Sequence, residues 1–217
     1  MVELLQDPAA EKVANRITEE QARQAEEKKL NDICATCTFQ ITIYAGFEPP
    51  DTLVGHSWIQ VDDVDPSTCR KKGVIVRGFW PKDPFNFTDL KQGVFGVPGI
   101  VNNDADKIGP GSDHPVQAHK TFTISCSQAV RAKKEIEKWE KAPGTYHGYA
   151  RMCATFALTV LRAAGQDLPN ASSEVPDPEG TIAKETIGLA IPIYSGVETP
   201  VGIYHAITGK KITDVIK

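Results

Sequence analysis

Three extended segments in close succession constrain this chain most. From Cys37 to Tyr44 the order Cys-Thr-Phe-Gln-Ile-Thr-Ile-Tyr alternates, putting Cys37, Phe39, Ile41 and Ile43 on one face and Gln40 and Thr42 on the other. That period of two predicts a half-buried strand. The turn Gly46 to Pro50 closes it, Val54 to Val61 reopens an extended run, and Gly73 to Trp80 adds a third after Asp65-Pro66-Ser67 and a basic loop. Pro81, Pro84 and Asn86 end the third run, and together the three predict an antiparallel meander.

Helical signals follow the strands. Ser125 with Gln128 three residues on predicts a capping box, opening a helix from Cys126 to about Lys141. Ala129, Ala132, Ile136 and Trp139 form its apolar stripe, and Pro143-Gly144 breaks it. A second, shorter helix opens at Cys153, with Phe156, Ala157, Val160, Leu161 and Ala164 as its core face and Gly165 as its stop. The fold class expected is α+β, a central antiparallel sheet packed against a cysteine-bearing helix.

Elsewhere the pattern is weaker. Residues 1–32 read as a peripheral N-terminal helix, strongest over 9–30, whose apolar stripe through Val13 and Ile17 lapses at Gln21. Residues 33–217 read as one catalytic-sized domain with a C-terminal extension. Residues 83–119 are rich in Asp, Asn, Gly and Pro and read as a long ordered loop with a short strand near Gly93 to Val97. Asn102-Asn103-Asp104-Ala105-Asp106 lacks the late Glu of a calcium loop and reads as a turn. Phe122 and Ile124 mark a short strand; Thr181 to Leu189 reads as helix, Ile191 to Tyr194 as extended and Val201 to Ile207 as a strand.

Charge and cysteine content narrow the function classes. With 24 Lys+Arg against 28 Asp+Glu and a formal charge of -4, the chain has no global basic field, so nucleic acid is not an expected partner. No segment is apolar enough to be an integral membrane span, and the first residues lack the pattern of a classical signal peptide. The expectation is a protein cytoplasmic when made. Cys34, Cys37, Cys69, Cys126 and Cys153 are an odd set that does not resemble a dense disulfide framework, and Cys34 with Cys37 lacks the second pair of a zinc knuckle. No metal or other cofactor is expected.

Cys153 is the candidate nucleophile, because unpaired N–H groups and the dipole at a helix start lower a thiol pKa. A buried structural cysteine fits the same segment. A nucleophilic thiol needs an imidazole base. Among His56, His114, His119, His147 and His205 the best placed is His56, which follows Gly55 at the head of a strand stiffened by Trp58 and Ile59. His147 sits in the approach to the helix, and His114, beside Asp113, could order a substrate loop or orient another group. Gln60 shares the parity of His56 and could orient it with a hydrogen bond or equally mark the solvated side of the strand. Trp58, Trp80, Tyr146 and Tyr149 are candidates for the substrate groove.

The order Gly55-His56-Ser57-Trp58-Ile59, then Gly78-Phe79-Trp80-Pro81, then Cys153-Ala154-Thr155-Phe156-Ala157 resembles circularly permuted papain-like proteins related to the NlpC/P60 superfamily. The resemblance covers roughly Cys37 to Gly165. It implies a permuted papain-like fold with Cys153 as nucleophile and His56 as base, a third polar group on the strand after the histidine, where Gly73 to Trp80 offers Arg77 but no His, Asp, Asn or Gln, and thiol-dependent cleavage of an amide in bacterial cell-wall peptide. Phospholipid or acyl-ester hydrolysis, or acyl transfer, by the same pair is the alternative, and a noncatalytic interaction protein is another. An antibacterial effector of this kind would leave by a specialised secretion system and meet an immunity or secretion-system protein.

Overall fold

The computed structural model describes residues 18, 20–25, 28, 32, 37–46, 55–83, 96–108, 112, 115–147, 151–173 and 197–210. Its backbone is a six-stranded antiparallel sheet: β1 (Thr38–Gly46), β2 (His56–Asp65), β3 (Arg70–Pro81), β4 (Val97–Asn103), β5 (Val116–Ser125) and β6 (Thr145–Tyr146), in spatial order β5-β1-β2-β3-β4-β6. The helices are α1 (Cys126–Lys141), α2 (Cys153–Ala163) and α3 (Pro200–Thr208), and β7 (Ser172–Ser173) pairs with β8 (Val197–Glu198). This is a mixed α+β fold, a central antiparallel sheet flanked by helices. None of the described helices is long and apolar enough to cross a membrane.

The sheet has two unlike faces because its strands alternate. Phe39, Ile41 and Ile43 of β1, Ile59 and Val61 of β2 and Phe79 of β3 are buried in one core with Ala129, Ala132, Ile136, Phe156, Ala157 and Leu161 of α1 and α2. Tyr44, Trp58 and Val76 form a smaller cluster on the other face, against Ile108 and Val116. The β1 and β2 registers fix this division, with Ile43 opposite Ile59 and Tyr44 opposite Trp58.

Helix α1 begins as its sequence specifies. Ser125 Oγ accepts the Gln128 N–H at 3.3 Å, and Gln128 Oε1 accepts the Ser125 N–H at 2.7 Å. Helix α2 buries the expected stripe and hands over to Gly165 in the left-handed region, φ 69°.

Several expectations are corrected. The supposed loop 83–119 contains the whole of a seven-residue strand, β4, hydrogen-bonded to β3 from Arg77↔Asn103 to Pro81↔Gly99. Pro98 and Gly99 obscure its pattern, yet Gly99 is required there, since a Cβ would meet the Phe79 ring at 2.3 Å. Strand β5 is also longer than Phe122 and Ile124 suggested, pairing with β1 along its whole length. As the outer strand it carries His119, Lys120, Thr121 and Thr123, a polar edge that hides the strand signal.

The stretch Val201 to Ile207 is helical, within α3. Thr199 caps it by accepting the Gly202 N–H at 2.9 Å, Pro200 takes the first turn and Gly209 ends it with φ 69°. Cap chemistry at both ends outweighs the β-branched run. The five cysteines, read as an odd set without a dense disulfide framework, are in fact largely paired: Cys37 and Cys69 form a disulfide and Cys126 is disulfide-bonded too, which leaves Cys153 as the free thiol among the described residues. The first disulfide ties the start of β1 to the β2–β3 turn, where Cys69 has φ 57°.

Residues 18, 20–25, 28 and 32 are helical and exposed, with an Arg23–Glu20 ion pair at 2.8 Å. The helix expected at Thr181 to Leu189 and the extended run Ile191 to Tyr194 lie outside the described residues.

Candidate active site

Gly55 leads into β2, whose first residue is His56, and α2 starts at Cys153. The fold carries both to the same end of β2. The Cys153 thiol donates to the Gly55 carbonyl at 4.0 Å, and the backbone N–H groups of Ser57 and Ala154 and the Tyr146 hydroxyl point at the sulfur. Thus the sulfur lies against the backbone groups on either side of His56. The imidazole leaves β2 on the Trp58 face, whereas Cys153 comes from the face covered by the helices.

Burial governs the thiol. Cys153 is 1% exposed, and burial pushes its pKa up to about 11, more than the surrounding donors pull it down. The sequence expectation of a lowered pKa at the helix start is therefore corrected: the dipole and the N–H groups act on a sulfur already out of water. Tyr146 is raised well above the usual phenol value by its own burial, then by the neighbouring sulfur.

His56 has a partner that no sequence pattern specified. Its Nε2 lies 2.8 Å from Asp104 Oδ2, with the two side chains 4% and 3% exposed. With Nε2–H donating to the carboxylate, Nδ1 is the basic nitrogen of neutral His56. Asp104 follows β4 directly, and its carboxylate also accepts the Trp80 indole N–H, at 3.0 Å to Oδ1 and 3.2 Å to Oδ2. The Trp80 ring lies over the imidazole, centroids 3.7 Å apart. Trp58 stacks between Tyr44, at 5.3 Å, and His56, at 5.5 Å.

Glycine makes this reach feasible. Gly78 faces Trp58 across β2 and β3, and a Cβ there would fall 1.7 Å from Asp104 Oδ2 and 2.6 Å from His56 Nε2. The carboxylate occupies the volume a β3 side chain would fill. The polar partner of His56 thus comes not from β3 but from the residue that follows β4.

The other candidates separate. Gln60 accepts the Tyr44 hydroxyl at 3.2 Å, and the position against His56 Nε2 belongs to Asp104. Trp58 and Trp80 join His56; Tyr146 joins Cys153. His147 sits in a bridge with Arg151, its N–H donating to the Arg151 carbonyl at 2.8 Å. His114 and Tyr149 lie outside the described residues. Asp104 is the residue that sequence reasoning missed. Its available signal was parity, because Asn102 pairs with Gly78 and Asp104 lies two further along the same face. Among the described residues no three His, Cys, Asp or Glu side chains gather as a metal site.

No family model matches the chain, and no solved structure matches it. It is similar to a 3-oxo-tetronate kinase of Methylobacterium radiotolerans, 31% identical over 118 residues, which are 54% of this chain and 26% of the kinase. The chain therefore spans about a quarter of the curated relative it matches, and the geometry above is the ground for a functional reading.

Proposed function

We propose that the protein is a thiol-dependent hydrolase of the permuted papain-like kind, using Cys153, His56 and Asp104 to cleave an amide, with bacterial cell-wall peptide as the substrate. The observation that carries this reading is the buried 2.8 Å His56–Asp104 contact beside a thiol seated against Gly55 and Ser57. A base oriented by a carboxylate and a helix-borne sulfur, carried to the same end of β2, are the groups nucleophilic acyl transfer uses, and proton transfer between them requires the sulfur to turn from the Gly55 carbonyl towards the imidazole.

The chemistry follows from the atoms. The resting thiol is protonated and gives its proton to His56 Nδ1 as sulfur turns from the Gly55 carbonyl towards the substrate carbon. Asp104 fixes the tautomer and offsets the imidazolium charge. The carbon–sulfur bond forms, and the oxyanion meets the N–H groups at the start of α2 and the Tyr146 hydroxyl. Collapse breaks the carbon–nitrogen bond, and the amine leaves with the proton from His56. Water, deprotonated by His56, then attacks the thioester, releasing the acid and restoring the thiol.

Phospholipid or acyl-ester cleavage would use the same groups. Incubation with purified peptidoglycan and with phospholipid vesicles, wild type against Cys153→Ala, separates the substrates. Cysteine-dependent release of peptide fragments supports the proposal, whereas equal product from both proteins removes the thiol mechanism. The burial of Cys153 and its raised pKa favour a second reading, a noncatalytic interaction protein, which predicts no turnover on either substrate. The disulfides suit an oxidising destination and support export by specialised machinery, where an immunity or secretion-system protein would be the partner.

A further inference from the structure

A groove of about 340 Å³ runs beside α2, lined by Glu135, Lys138 and Trp139 of α1 together with Arg151, Thr155 and Thr159. Thr155 and Thr159 lie on a different flank of α2 from Cys153, two and six residues on at about 100° per residue. The groove is therefore separate from the thiol site.

Arg151 is built into it in an unusual way. Its guanidinium carbon stands 4.1 Å from the Trp139 ring centroid and 5.9 Å from that of Phe79. Gly144 also packs against the guanidinium, where a Cβ would come within 3.2 Å of Nη1 and 3.3 Å of Cζ. The Nε is buried without a hydrogen-bond partner, and among the described residues no carboxylate lies within ion-pair distance of this side chain. Glu135, the acid of the groove, is already engaged by Lys138 at 3.2 Å and by the Trp139 indole N–H at 3.1 Å.

Arg151 and Lys138 against Glu135 leave the lining with a charge of +1. The Thr155 hydroxyl accepts the Met152 N–H at 3.4 Å, so its own proton can serve a further acceptor. A stacked, rigid guanidinium with a threonine hydroxyl beside it suits a planar anion with two oxygens. We propose that this groove binds a carboxylate-bearing ligand of about dipeptide size, with the carboxylate on the donor edge of Arg151. The binding does not depend on thiol chemistry, so its failure and that of the hydrolase reading are distinguishable.

The probe is N-acetyl-Ala-Ala, with its C-terminal amide and inorganic phosphate as controls, titrated calorimetrically into the full chain and into Cys153→Ala. The acid is expected to bind both proteins equally and to shift the Trp139 indole N–H signal in two-dimensional NMR, and the amide is expected not to bind. Arg151→Lys, which keeps the charge, should weaken binding by at least about tenfold because the fork is lost. Lys138→Gln, at an exposed position, should weaken it about two- to threefold by removing one charge near the surface. No binding of the acid, equal binding of acid and amide, unchanged affinity in Arg151→Lys, or phosphate bound more tightly than the acid would each overturn the proposal.

Discussion

Gly78→Ala is the most direct probe of how the His56–Asp104 pair is held. The new Cβ would lie 1.7 Å from Asp104 Oδ2, 2.9 Å from its Cγ and 2.6 Å from His56 Nε2. Ordinary contact is about 3.5 Å, so the carboxylate must retreat by roughly 2 Å. It is poorly placed to do so, since Asp104 binds the Trp80 indole N–H at 3.0 Å and its carbonyl accepts the Lys107 N–H at 3.0 Å. Overpacking and the loss of a buried charge-assisted hydrogen bond together cost about 3–5 kcal/mol, offset by under about 1 kcal/mol from the stiffer unfolded chain. The net is about 3 kcal/mol, or a fall in melting temperature of roughly 10 °C for a chain of this size. Urea denaturation reads it directly. The stringent comparison is made in an Asp104→Ala background, where the carboxylate clash has gone and only the His56 contact remains. There the cost of Gly78→Ala should shrink by at least about 1 kcal/mol. A loss below 1 kcal/mol in the wild-type background, or strict additivity in the cycle, would refute the argument that glycine makes room for Asp104.

Three further outcomes follow from the same geometry. Asp104→Asn keeps the shape but gives the two donors, His56 Nε2–H and the Trp80 N–H, a group with one acceptor oxygen, so under the proposed hydrolase mechanism kcat should fall by about 10³- to 10⁴-fold, as in the Ser-His-Asp template, at a stability cost of about 1–3 kcal/mol; a loss under tenfold in steady-state assays would remove Asp104 from the proposed mechanism. Folding lifts the Cys153 pKa from 9.0 to about 11, so the unfolded thiol ionises first and stability is lost as pH rises from about 9 to about 11, by about 3 kcal/mol; buried Tyr146 adds a loss of the same sign, so denaturation at pH 7 and pH 11 should show a fall about 3 kcal/mol larger in wild type than in Cys153→Ala. Cys69→Ser opens the Cys37–Cys69 link, which spans 32 positions, and should cost about 3–4 kcal/mol by loop-closure entropy, read as a lower urea midpoint that reducing agent lowers further by less than in wild type, since only the Cys126 disulfide is left to open.

What could be read from sequence was what neighbours in the chain decide. Ser125 and Gln128 set the start of α1, and the alternation of Phe39, Ile41 and Ile43 set the buried face of β1, because each signal is complete within a few residues. Val201, Ile203 and Ile207 misled because β-branched composition is a weaker determinant than the Thr199-Pro200 start and the Gly209 stop around them. Cys153 and His56 were legible as a helix head and a strand head. The state of the thiol was not, since burial by other elements, absent from any local window, sets its pKa. Asp104 shows the same limit more sharply. Nothing local marks it, and the residue that admits it is a glycine on another strand, legible only once β4 is known to lie beside β3. Parity then gives a usable rule: where the strand after a candidate histidine offers glycine at the opposing position, the acid is to be sought at matching parity on the strand beyond. Here that rule leads from Gly78 past Asn102 to Asp104.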